Sequence, residues 1–329
     1  MALSPAFVDT HVEQWATAMR SSYRPYREKW PSRLFHHAPI ENAAAILVDG
    51  HLRSRNDPSN GRAKDVAAPG VIDTRVEAHD YGRLYFRPRT PTQWHIEGIR
   101  KAGECTHGER AHAPILVMMV FGAKPVLIRP GVRFSDRNMQ LSYTQAGETE
   151  EYFSAIPFEK VFHEGGINGD RSIIDHRCAE VLVTSPMPLS ESLQWIYCRT
   201  EAEKDTLLHM LGTKADFWRP AIQISDDLQV FDRRFTFVEK VMIDNKGIVA
   251  RFNPRQDRQQ ISIRVTALAS DGAIALSFEN SAIDAIPQPP ATSWRFNGTL
   301  PDGRYLVEIV LEGHLAYRAY MMVGQDIFL

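Results

Sequence analysis

Three segments hold side chains whose type and spacing could do chemistry. In Leu34-Phe35-His36-His37-Ala38-Pro39 an imidazole stands at the end of an apolar strand, just before a helix start. That is a good place to meet a ligand and an equally ordinary place for a satisfied core histidine. In RLYFRPRTPTQW (83–94), Arg83, Arg87 and Arg89 interleave with Tyr85, Phe86 and Trp94. Guanidinium forks beside aromatic faces suit phosphates and unstacked bases; a solvated edge strand would read the same way. In DHRCAEVLV (175–183), Glu180 interrupts an otherwise apolar strand, either on an exposed edge or facing a cleft. Other chemistry is poorly represented. The sequence has no P-loop, GxGxxG, HExxH, GxSxG or paired CxxC. Cys105, His107 and His112 lack a fourth ligand and a recognisable zinc spacing, so no metal site is expected. His163 and Cys178 do not make a nucleophilic pair by co-occurrence alone.

The elements that must position these residues fall into two regions. Thr10-x-x-Glu13 reads as a capping box opening an amphipathic stretch that Pro25 ends. LFHH predicts a strand, and IENAAAILVDG a helix with Gly50 at its C-terminal cap. Apolar strands are expected at 83–88, 115–121, 179–184 and 193–198, and Thr200-x-x-Glu203 opens a last helix closed by Gly212. Strands outnumber helices without regular βαβ alternation, which favours α+β over a doubly wound sheet. After about residue 225 the helical period vanishes. FTFVEKVMI, GIVARF, QISIRVTAL, AIALSFE, SWRFNG, RYLVEIVL and LAYRAYMMV alternate between turn signals, the pattern of a small β-sandwich. The expected organisation is therefore a domain over 1–215, with 1–29 as a helical extension, and a β-sandwich-like domain over 225–329.

Composition narrows the partners. With 329 residues, 43% hydrophobic, the chain can bury two cores. Lys and Arg number 38 against 40 Asp and Glu, so a nucleic-acid partner must be held by a local patch rather than a global field. No apolar run reaches membrane-spanning length, and three scattered cysteines argue against a disulfide framework. A cytoplasmic location is expected, with no membrane partner.

Taken together and in order, the three segments resemble the DarT family, the DNA-modifying ADP-ribosyltransferase toxins of bacterial toxin–antitoxin systems. LFHHAPIENAAAILVDGHL resembles the family's opening strand and helix, with Glu41-Asn42, Ile46-Leu47, Gly50 and Leu52 in place. Tyr85-Phe86-Arg87-Pro88-Arg89-Thr90-Pro91 resembles the second block, and Ala179-Glu180-Val181-Leu182-Val183 the catalytic strand. The resemblance covers roughly residues 30–212 and leaves 225–329 without a family counterpart. It implies an ADP-ribosyltransferase fold, a split mixed β-sheet with flanking helices whose cleft holds NAD as substrate. By it, Glu180 is the catalytic glutamate and Arg75 the cleft arginine, with Arg83 as the alternative match. His36, His37, Ala38, Ser54 and Tyr85 line the NAD side. Ala38 departs from the threonine the family often has there, which removes a hydroxyl contact. Arg83, Arg87, Arg89, Trp94 and Tyr143 are the candidates for holding nucleic acid. The implied partners are single-stranded DNA, modified at thymine or guanine, and a DarG-like macrodomain antitoxin. RNA or protein as acceptor, or a silent nucleic-acid-binding module, are the alternatives.

The residue types suit the reaction. Cleaving the nicotinamide–ribose bond passes through a transition state of oxocarbenium character, which one carboxylate can stabilise without a general acid. An acceptor base must be reached at its ring edge, so a single strand or an extruded base is expected. The polar stretch from Asn138 to Asp175 is expected to read that base, with Tyr143, Tyr152 and Phe153 either stacking on it or anchoring the loop.

Overall fold

A computed structural model describes residues 2–61, 79–106, 108 and 111–324. The chain divides into two compact units. One joins Met1–His95, Val117–Tyr197 and Ser225–Phe231; the other joins Ile96–Leu116, Cys198–Ile224 and Asp232–Leu329.

The first unit opens with α1 (Pro5–Ala18). Ser4 caps it, its hydroxyl accepting the Phe7 N–H at 3.4 Å, and Pro5 takes the first helical position. The capping box expected at Thr10 does not form. Thr10 lies inside α1 and its hydroxyl donates back to the Ala6 carbonyl at 3.0 Å. Ser followed by Pro is the stronger start, because proline arrives with a helical φ and has no N–H to leave unsatisfied. A 3-10 segment, Pro25–Ser32, follows and buries Trp30, whose Nε1–H donates to the Leu228 carbonyl at 3.0 Å.

β1 (Arg33–Pro39) runs directly into α2 (Ile40–Asp49). Gly50 closes that helix at φ 76°, where its N–H reaches the Ile46 carbonyl at 2.8 Å and a β-carbon would be strained. The other strands of the unit are β2 (His51–Leu52), β3 (Tyr81–Tyr85), β4 (Leu116–Gly122), β5 (Arg133–Phe134), β6 (Glu180–Thr184), β7 (Met187–Pro188) and β8 (Leu193–Tyr197). Six of them lie side by side in a mixed sheet, in the order β5-β6-β3-β1-β4-β8. β4 is buried along its whole length, as its unbroken apolar run requires. β3 ends earlier than the expected 83–88. Pro88 cannot donate to a ladder and Arg89 sits at φ 53°, so the chain bends away after Tyr85. β3 pairs antiparallel with β6, setting Tyr85 opposite Glu180 and Arg83 opposite Leu182, and meets β1 at Phe35.

The second unit is built on strands. After β9 (Ile222–Gln223), all seven alternating segments form strands: β10 (Phe237–Asp244), β11 (Gly247–Asn253), β12 (Ile261–Leu268), β13 (Ile274–Ile283), β14 (Trp294–Asn297), β15 (Gly303–Leu311) and β16 (His314–Val323). They make antiparallel sheets of order β10-β11-β14 and β13-β12-β15-β16. Val238, Ile248 and Phe252 from one sheet and Val265, Val307 and Tyr317 from the other share a core, which is a sandwich. Ile99 and Ala202 belong to that same core, the latter on the helix Glu201–Leu211. Thr200 caps this helix as expected, accepting the Glu203 N–H at 3.2 Å. The Glu203 carboxylate instead accepts the Arg199 N–H at 3.0 Å and its guanidinium Nε at 2.8 Å. An α+β core followed by an antiparallel β-sandwich is the fold class read from the patterning. Among the described residues no helix is long and apolar enough to cross a membrane.

Candidate active site

Glu180 is the first residue of β6 and is 1% exposed, so it is not an edge carboxylate. Its backbone is held on both sides of the peptide: Ser135 Oγ accepts the Glu180 N–H at 3.1 Å, and the Ser135 N–H donates to the Glu180 carbonyl at 2.9 Å. The same Ser135 hydroxyl donates to the Arg137 carbonyl at 2.7 Å. In the carboxylate, Oε1 accepts a long 3.5 Å bond from the Met139 N–H. Oε2 is buried without a hydrogen-bond partner and faces Arg83 Nη1 at 3.7 Å. Burial pushes this carboxyl above the usual range, while the Arg83 cation and the Met139 amide pull it back.

The neighbouring strands bring the other groups to this end of the sheet. His36 Nδ1 lies 2.8 Å from the Arg83 carbonyl. A carbonyl can only accept, so that nitrogen carries the proton. Burial lowers the His36 pKa, hence the ring is neutral and its Nε2 is an acceptor. The His37 ring stacks on Tyr85, centroids 5.1 Å apart and planes 9° apart. Burial, reinforced by the adjacent His36, brings the His37 pKa down to about 3. The Tyr85 phenol is raised, by burial first and by the Glu180 charge second. β1, β3 and β6 are thus three adjacent strands presenting two neutral imidazoles, a stacked phenol, one guanidinium and one buried carboxylate. Ala38, also on β1, is buried and offers no hydroxyl.

The remaining sequence candidates lie in other settings. Ser54 is buried in a turn, where its hydroxyl accepts the Asp57 N–H at 3.2 Å and its own N–H donates to Ser185 Oγ at 3.0 Å. Arg87 is buried over the Trp30 ring, 5.1 Å from its centroid, and Arg89 pairs with Glu164. Trp94 is 45% exposed and Tyr143 is 62% exposed, the latter with the Arg137 guanidinium 5.5 Å from its ring centroid. Tyr152 and Phe153 divide from Tyr143: Phe153 is a core residue edge-on to Phe134, and the Tyr152 hydroxyl donates to the Gln145 carbonyl at 2.6 Å. Arg75 lies outside the described residues, as does His107. Cys178 is buried, with its thiol pushed up to about 12, and so is no thiolate. No group of three or more His, Cys, Asp or Glu among the described residues could hold a metal ion.

Sequence reasoning missed Ser135 and the Met139 amide. A backbone N–H has no sequence signature, and Ser135 is 45 residues from the carboxylate it serves.

No curated protein matches the chain. The solved structures that match share weak identity with the chain. The Thermus sp. 2.9 DarT in complex with ADP-ribosylated ssDNA is 20% identical over 60% of this chain and 96% of its own, with a TM-score of 0.49. The same protein in complex with NAD+ is 21% identical, covering 60% and 97%, with a TM-score of 0.46. The Thermosipho africanus DarTG in complex with ADP-ribose is 15% identical, covering 64% and 53%, with a TM-score of 0.41. A sequence model described as "ssDNA thymidine ADP-ribosyltransferase, DarT" matches residues 35–230, more than half of the chain. With that match spanning β1, β3 and β6 together, the chain belongs to the DarT family of ssDNA thymidine ADP-ribosyltransferases.

Proposed function

We propose that the chain transfers ADP-ribose from NAD to thymine in single-stranded DNA, as the toxin of a cytoplasmic toxin–antitoxin pair whose antidote is a DarG-like macrodomain protein. The observation that carries this reading is the buried Glu180 carboxylate, held at both flanking backbone groups and with Oε2 lacking a hydrogen-bond donor. A sugar hydroxyl is the donor that fits it, and the neutral His36 Nε2 is an acceptor for a second one. The residues present therefore suit NAD. When bound, NAD supplies ADP-ribose on a cationic leaving group, so no acid is needed to expel nicotinamide.

Each side chain then has a defined task. Glu180 orients the sugar and sets a negative charge against the positive charge that develops beside it, in a site too dry for solvent to screen. Ser135 and the ladder to Tyr85 keep that carboxylate from relaxing away. Arg83 opposes the rise that burial imposes on the Glu180 carboxyl, favouring its ionised form, and is a cation able to stabilise a deprotonated ring nitrogen of the base. The Tyr85–His37 pair forms an aromatic wall. Exposed Tyr143, on the stretch before β6, is a stacking platform for an unpaired base.

The test is label transfer from NAD radiolabelled in the adenylate to oligonucleotides with one thymine, with none, to a duplex, to RNA and to protein. Label on the single-thymine strand alone, abolished by Glu180→Gln, is expected. Transfer that is indifferent to Glu180→Gln, or label only on protein or RNA, would overturn the proposal.

A further inference from the structure

Five guanidiniums surround one carboxylate at the end of the β3–β6 ladder. Glu164 is 9% exposed in its side chain and lies 3.9 Å from Arg24 Nη1, 3.8 Å from Arg27 Nε and 3.9 Å from Arg87 Nη2, and it pairs directly with Arg89. Its Oε2 also accepts the Tyr26 hydroxyl at 2.8 Å. Arg177 stands beside it, donating to the His163 and Gly165 carbonyls at 3.0 and 2.7 Å and to His163 Nδ1 at 2.7 Å. His163 accepts there, and burial and the surrounding arginines keep it uncharged, so it adds no anion and no cation. One carboxylate cannot neutralise five fixed cations.

The donors are not used up either. Arg27 Nε and Arg89 Nε are buried without a hydrogen-bond partner. Arg24 remains 45% exposed, and Arg27 and Arg89 about a fifth exposed, so the cluster is open on one side. Arg89 is held at φ 53°, a conformation unfavourable for a side chain of this size, with its N–H tied to Gln93 Oε1 at 2.8 Å. Strain of that kind is tolerated where a side chain must be aimed.

Position ties the cluster to the active site. Arg87 is two residues beyond Tyr85, and Arg177 three before Glu180. A fully extended chain spans at most ~3.6 Å per residue, so these backbones lie within roughly 7 and 11 Å of the Tyr85–Glu180 cross-strand pair. Arg24 and Arg27 come from the segment before residue 35, outside the family match.

We propose that this arginine cluster is a binding site for a phosphate group of a nucleotide ligand, completed by Arg24 and Arg27 from the N-terminal segment. The proposal rests on the transferase reading for what its ligand is, since the acceptor strand and NAD both carry phosphate. Planar guanidinium forks match phosphate oxygens in pairs, and an anion entering from the Arg24 side would take the unused Nε–H donors.

The experiment uses the full chain with Glu180→Gln to prevent turnover, and adds Arg24→Gln, Arg27→Gln or both. Binding of a labelled single-stranded oligonucleotide is followed by anisotropy across a salt series, and binding of NAD by calorimetry. Each lost contact is expected to weaken the affected ligand on the order of tenfold. For the oligonucleotide, the slope of log K against log salt should also flatten by about 0.7 per contact. A loss confined to the oligonucleotide assigns the strand backbone, and a loss confined to NAD assigns the pyrophosphate. Because Arg27 Nη2 also donates to the Phe162 carbonyl at 2.8 Å, the exposed Arg24→Gln decides the matter, with Arg27→Lys as the charge-keeping control. Unchanged affinity for both ligands in Arg24→Gln and in the double variant overturns the proposal. The wild-type label-transfer assay is read separately: loss of oligonucleotide binding in Arg24→Gln beside a wild type that transfers nothing leaves the phosphate site standing and removes the transferase.

Discussion

Replacing Arg83 by Gln tests whether this cation helps keep the Glu180 carboxylate, the proposed catalytic group, charged. The guanidinium sits 3.7 Å from Glu180 Oε2, and at an effective dielectric of about 20 that separation is worth about 4.5 kcal/mol. Arg83 is about a fifth exposed, so solvent and the new amide recover part of this, leaving about 2 kcal/mol. Burial already raises the Glu180 pKa and Arg83 opposes that rise. Without the cation the carboxyl moves further up, and the ionised form needed for transfer is reached only at higher pH. The deficit should be largest, at most about thirtyfold, at a pH below the wild-type carboxyl's own pKa, and smaller above it. The ratio of variant to wild type, in which any titration of the acceptor base cancels, should climb toward one as pH rises. Arg83→Lys, which keeps the charge, should lie between the two, and the His36 bond survives all three because it uses the Arg83 carbonyl. A ratio flat across pH, or equal loss in the Lys and Gln variants, would refute the argument that Arg83 acts through Glu180 ionisation.

Further outcomes follow from burial and packing. Glu180→Gln should lose transfer by ~10²–10³-fold yet melt no lower than wild type at pH 8, because a carboxyl with a raised folded pKa opposes folding once ionised. That advantage should shrink as pH falls toward the range of an ordinary glutamate, and a clearly lower melting point at pH 8 would contradict it. His11, packed against Phe153 and Phe158 at 4.8 and 4.4 Å, has its pKa lowered by burial to about 4. The unfolded chain protonates first, so about 3 kcal/mol of stability should be lost as pH falls from about 6.5 to about 4, and His11→Phe should remove that slope in chemical denaturation. Truncation after residue 224 should give insoluble protein in a sedimentation assay. It strips the sandwich from Ile99 and Ala202 within one unit, and the Leu228 and Val230 carbonyls from Trp30 and Gln93 within the other. A soluble, cooperatively melting fragment would contradict this.

What could be read in advance was periodic or local. The seven β segments after residue 225 alternate because one face of each meets a shared core, and that alternation survives in any single sequence. Gly50 and Thr200 mark helix ends by their own backbone and hydroxyl chemistry. Thr10 misled because a capping box looks the same inside a helix as at its start, and only Ser4-Pro5 upstream settles which threonine is free to cap. RLYFRPRTP blended two environments in one motif: Arg83 and Tyr85 share a face of β3 with Glu180, whereas Arg87 and Arg89 lie past the bend against Trp30 and Glu164. Spacing of two residues suggested one surface, and proline with a left-handed backbone split it.

Glu180 itself shows why a candidate residue stood out in the sequence while its support did not. A lone carboxylate inside EVLVT is anomalous by type, since a buried charge without full satisfaction costs stability. Satisfying both of its oxygens would relieve that cost and also quench the electrostatic field that catalysis uses. The fold instead fixes the backbone through Ser135 and the β3 ladder, and leaves Oε2 opposed by a cation 3.7 Å away but undonated. Rigidity is thus supplied by the main-chain ladder and one distant serine hydroxyl, and the proposed reactivity by one side chain that only glutamate supplies at this length. The first kind of information is distributed over distant segments, and nothing local to Ser135 says which residue it serves; the second is concentrated at one position and stands out as soon as the strand pattern is drawn.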